Sequence, residues 1–76
     1  MISDKMWKEG LSTRLRKRMN EVGINQKELA EKVFLSPVTI LKYLQCACSP
    51  SGYTLSLMAE ALDCTVGYLV GEEEVK

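Results

Sequence analysis

Apolar residues recur every three or four positions along the first third of the chain. Leu11, Leu15, Met19 and Val22 fall at spacings of four, four and three, which puts them on one stripe of an α-helix. Arg14, Arg16, Lys17 and Arg18 are spread around the rest of its surface. Gly23 ends it, because glycine takes the left-handed conformation of a helix C-terminus at no steric cost. Asn25, with Glu28 three residues on, forms a capping box for a second helix; Ile24 is placed as its hydrophobic staple, and Leu29, Ala30 and Val33 form its inward face. Ser36-Pro37 then supplies an N-cap and a first-turn proline for a third helix over residues 37–45. Two short helices joined by so brief a turn cannot run parallel and must cross steeply, the geometry of a helix-turn-helix.

The remaining pattern continues the helical theme. Residues 46–52 are a loop of small residues without periodicity. Ser51 can cap a fourth helix whose core-facing stripe is Leu55, Met58, Ala59 and Leu62. Asp63-Cys64 interrupts it, and Thr65 can open a short fifth helix through Val66, Tyr68 and Leu69, ended by Gly71. The pattern predicts one compact all-α domain of five helices over residues 1–76, with residues 1–6 and 72–76 as flexible tails.

Composition adds limits. Hydrophobic residues make up 46% of the 76, enough for one core without a metal or disulfide. The net charge is zero, but its distribution is uneven. Residues 1–49 hold nine Lys and Arg against five Asp and Glu, whereas residues 50–76 hold one against five. A basic half joined to an acidic one suits a molecule with one face toward nucleic acid, although ordinary solvated helix faces give the same count. Three cysteines, Cys46, Cys48 and Cys64, in a short chain without a signal peptide point to reduced thiols and a cytoplasmic setting, and read as small buried hydrophobes. With no histidine, a zinc site would lack a fourth protein ligand of the usual kind, and no metal or other cofactor is expected. No apolar run approaches the roughly 20 residues of a membrane span. A nucleophile paired with a base is missing, as is a glycine-rich phosphate loop, so the chain does not read as an enzyme and no small-molecule substrate is expected.

The string Gly-Ile-Asn-Gln-Lys-Glu-Leu-Ala-Glu-Lys-Val over 23–33, then Ser36 and Thr39-Ile40, resembles the lambda-repressor-like, Cro/C1-type (XRE) helix-turn-helix family. The later Pro50-Ser51, Leu55, Met58-Ala59, Ala61-Leu62 and Tyr68-Leu69 are similar to that family's fourth and fifth helices. The resemblance implies a DNA-binding transcription regulator, a phage-like or bacterial repressor that binds double-stranded operator DNA as a homodimer. It implies that Gln26 anchors a phosphate, with Lys27 beside it, and that helix 37–45 enters the major groove. Ser36, Pro37, Val38, Thr39 and Lys42 are its candidate contacts with bases or nearby backbone, and Arg14, Arg16, Lys17 and Arg18 its secondary phosphate contacts. Lys42 can donate to guanine or meet a phosphate, Val38 can only press on a thymine methyl, and Pro37 donates nothing. Dimer contacts would come from Val66, Tyr68, Leu69 and Val70.

Several positions depart from the family pattern. Met19 and Leu44 stand where many members pair a basic with an acidic residue; replacing both charges by apolar side chains repacks a core without stranding a charge. Phe34 stands at the turn position that is usually glycine, which a left-handed conformation disfavours, so a turn of different length or shape is expected there. Cys46 stands where glycine often ends the recognition helix, and loop 46–52 has no Lys or Arg. Leu41 occupies a usually polar site, where partial cover by neighbours is expected. This apolar helix, with Val38, Leu41 and Leu44, motivates an alternative: a protein-interaction adaptor, antirepressor-like or antitoxin-like, on the same fold.

Overall fold

In a computed structural model, which describes residues 4–72, the chain folds as α1 (Asp4–Val22), α2 (Gln26–Lys32), α3 (Pro37–Leu44), α4 (Gly52–Ala61) and α5 (Val66–Val70). No strand occurs among the described residues. Helix α1 packs on α3 and α5, α2 packs on α3 and α4, and α4 packs on α5. Leu15, Leu29, Ile40, Met58, Leu62 and Leu69 are fully buried where these helices converge.

The helix starts are those the caps predict. The Asn25 side chain accepts the Glu28 N–H at 2.8 Å while the Glu28 carboxylate accepts the Asn25 N–H at 3.1 Å, so the capping box closes in both directions. Ile24 packs against the core that contains Leu29. Ser36, Ser51 and Thr65 cap α3, α4 and α5 in the same way, each side chain accepting an N–H three residues on.

The helix ends follow one rule. Every helix terminates in a residue with positive φ: Gly23, Phe34, Cys46, Asp63 and Gly71. After α2, Leu35 N–H reaches Ala30 C=O at 2.9 Å and Phe34 N–H reaches Glu31 C=O at 3.4 Å. The same pair of bonds follows α3 and α4. This Schellman arrangement satisfies carbonyls that the helix leaves unpaired, and each repeat of it turns the chain back onto the core.

Four expectations need correction. Phe34 does not change the turn: it adopts φ 60° itself, because the two backbone bonds after α2 require that conformation whatever the side chain. Val22 is 43% exposed, not part of the buried stripe that ends at Met19. The stripe extends the other way instead, to Trp7, which packs against the core. Positions 4–6 are therefore helical, not tail, whereas residues 1–3 and 73–76 lie outside the described residues. Finally, all three cysteines are half-buried, none of them fully enclosed.

Candidate nucleic-acid interface

Helix α3 is amphipathic: Ile40, Tyr43 and Leu44 are buried, whereas Pro37, Val38, Leu41 and Lys42 lie on the outer face. Its C-terminal end is fastened to α1. The Ser12 hydroxyl donates to the Leu44 carbonyl, and the Cys46 thiol reaches the Lys8 carbonyl at 3.6 Å. The Tyr43 hydroxyl is hydrogen-bonded to the Thr54 side chain; burial raises its pKa above 10.0, Cys48 adds to the rise and Thr54 offsets part of it. A helix held at one end by α1 and α4 presents its opposite end and outer face in a fixed orientation.

That opposite end borders an open groove of about 560 Å³. Arg16 and Asn20 of α1 form one wall; Gln26, Lys27 and Pro37 form the other. Met19 and Leu44 contribute to its lining, both nearly buried at 6% and 5% exposure. They fill the space where the family pattern has a charge pair, and the apolar exchange leaves no charge stranded there. No carboxylate among the described residues lines the groove. Two cations beside an amide-rich, acid-free surface suit a polyanion backbone.

The outer face of α3 is less polar than its sequence implies. The Ser36 and Thr39 hydroxyls lie 3.0 Å apart and share a hydrogen bond, and Ser36 also accepts the Thr39 N–H. Both side chains are thus engaged in starting the helix. Val38 is 60% exposed and Leu41 36%, so Leu41 is only partly covered. Lys42 is the one charged side chain on this helix.

The first-helix cations divide into two sets. Arg16 lines the groove, and Lys17 is exposed next to it on α1. Arg18, expected at phosphate, points elsewhere: its guanidinium donates to the Leu62 carbonyl at 2.8 Å and the Asp63 carbonyl at 2.9 Å, and pairs with Glu21 at 3.6 Å. It satisfies carbonyls of the corner that follows α4. Arg14 lies against α5, where its guanidinium occupies the space a side chain at Gly71 would need. The expected dimer residues divide as well. Tyr68 and Leu69 are core, at 8% and 0% exposure, while Val66 and Val70 remain half-exposed. Leu44, counted toward an apolar outer surface of α3, is buried, which removes one of three residues from the adaptor reading. Asn20 was missed; its signal was its place one turn after Arg16.

A small all-helical domain with two short capped helices meeting at a left-handed corner, the second exposed beside a basic groove, is a helix-turn-helix domain. The helix-turn-helix family model of Cro/C1 type matches residues 15–69, and the chain belongs to that family of DNA-binding transcription regulators. Among solved structures, the P22 c2 repressor, determined in complex with a synthetic operator, is similar to this chain with a TM-score of 0.77 and 28% identity, covering 83% of this chain and 96% of that one. The solution structure of the SOS-response transcriptional repressor LexA from Eubacterium rectale shares the fold, with a TM-score of 0.81 and 22% identity over 100% of this chain and 78% of its own. No curated protein matches the sequence. No helix among the described residues is long and apolar enough to cross a membrane.

Proposed function

We propose that this chain is a sequence-specific operator-binding repressor that acts in the cytoplasm as a homodimer, inserting α3 into the major groove of double-stranded DNA. The observation that carries the reading is the exposed outer face of α3 beside a groove with Arg16, Lys27 and Gln26 and, among the described residues, no carboxylate. Phosphates flanking the major groove meet the cations, and base edges meet α3. Lys42 is the polar reader and Val38 the apolar one, suited to a thymine methyl. With two hydroxyls tied up in the helix start, base discrimination depends strongly on DNA shape and deformability. One domain of this size buries too little DNA surface for tight specific binding, so two copies occupy two half-sites about one helical turn apart. Val66 and Val70 are the α5 residues left to join them.

Selection from a pool of random duplexes at low salt tests the proposal. The expected result is enrichment of two related half-sites, and loss of their retention in a Lys42→Glu, Gln26→Ala variant. Recovery of no preferred sequence would overturn the reading.

A further inference from the structure

The turn that aims α3 carries a second surface, on the side toward α4. Phe34 is 83% exposed at φ 60°. An aromatic side chain in a left-handed conformation costs the fold energy, and here it recovers almost none by burial. Such a residue at a turn is a mark of function outside the folded monomer. Phe34 forms one wall of a recess of about 400 Å³ whose other lining residues are Leu57 and Ala61, with Lys32 and Glu60 at its sides. Leu57 and Ala61 are half-buried extensions of the core. Lys32 and Glu60 are exposed, and neither pairs with another charge among the described residues.

We infer that this surface binds a second copy of the same chain across a two-fold axis. In an isologous contact a patch meets its own duplicate, so it must hold both halves of every complementary pair. This one does. It has a projecting aromatic beside an apolar recess, so each Phe34 enters the recess of the other copy. It has one cation and one anion, so each Lys32 faces the other copy's Glu60. A nucleic acid or an acidic segment would meet Glu60, and a basic segment would meet Lys32; only a partner with both signs in the mirrored order satisfies both. The inference does not rest on DNA binding. It describes a contact separate from the half-exposed valines of α5, able to join copies whether or not DNA is present.

Sedimentation equilibrium of the free protein, over a wide concentration range, tests it. Wild type self-associates, and Phe34→Gly weakens the association at least about tenfold, the scale of losing a central aromatic anchor. The same variant, measured dilute, is no less stable than wild type, because glycine takes φ 60° freely; a Phe34 that served only the monomer's packing would give the opposite sign. Lys32→Glu and Glu60→Lys each weaken association, and the double reversal restores it. A chain carrying Val66→Ser and Val70→Ser, which removes the α5 contact, that stays monomeric, association of that chain that survives Phe34→Gly, or a double reversal that restores nothing would each overturn the contact.

Discussion

Among the described residues three besides glycine sit in the left-handed region, Phe34 at φ 60°, Cys46 at 63° and Asp63 at 53°, and they are not equivalent. Aspartate visits this region more readily than other side chains, since its short polar group can bond locally, whereas an aromatic side chain gains nothing there. Relief of the left-handed strain is worth about 1–2 kcal/mol, and glycine gives back about 0.5–1 kcal/mol through the added freedom of the unfolded chain. Phe34→Gly should therefore stabilise the dilute monomer by about 0.5–1 kcal/mol, and Asp63→Gly should change it by less. Urea unfolding of both variants checks the order. Cys46 is a different case, because its thiol reaches the Lys8 carbonyl and glycine there would release one fastening of α3. The turn at Phe34 shows where residue-by-residue reading stops: the side chain argued against the left-handed conformation, but backbone bonds to Ala30 and Glu31 decide it.

At the scale of elements, the helix boundaries were legible because the signals that set them are local. An Asn25–Glu28 box or a Ser36-Pro37 start involves residues within one turn of each other. The roles of the α1 cations were not legible, because their partners are distant; the carbonyl that Arg18 binds belongs to Leu62, 44 residues away. Sequence treats Arg14, Arg16, Lys17 and Arg18 as one cluster, and helical geometry sends them to different faces. Likewise the α5 apolar residues read as dimer material until packing claims Tyr68 and Leu69 for the core. The division of the cations gives a contrast that one pair of variants can expose. Arg18→Ala removes two charge-assisted hydrogen bonds to the corner after α4 and leaves the part-buried Leu62 carbonyl without that partner, which should cost about 2 kcal/mol of folding stability. Arg16→Ala should leave stability within about 0.5 kcal/mol. Against operator DNA the order reverses: Arg16→Ala lowers the slope of log affinity against log salt by about 1, and Arg18→Ala leaves the slope unchanged. A salt slope that responds equally to both would return Arg18 to the DNA face.

For the whole molecule, the charge division seen in the sequence becomes spatial. The basic half builds α1, α2 and α3, while Glu60 and Asp63 lie at α4 and the corner after it, outside the groove. That corner also holds Cys64, whose thiol pKa is raised above its ordinary 9.0: burial raises it most, Arg18 opposes the rise and Asp63 adds to it. Tyr43, which ties α3 to α4 through Thr54, is raised above 10.0 in turn. Both groups are neutral when protonated, so the fold favours their protonated forms. A raised folded-state pKa means stability that is fully present below the unfolded value and lost as pH climbs through the folded one. The two groups thus set a two-stage alkaline decline. Stability should start to fall as pH passes 9.0, when the unfolded chain begins to release the Cys64 proton that the fold retains, and fall further beyond 10.0 as Tyr43 follows. Urea midpoints measured against pH give the test, with Cys64→Ala expected to flatten the first stage and Tyr43→Phe the second. The second stage matters more for function, because the Tyr43 hydroxyl is part of what holds α3 in its presenting orientation; operator affinity should weaken along with it. A midpoint that rises through this range would show that the fold stabilises the ionised forms, the opposite of what the partial burial of these two side chains requires.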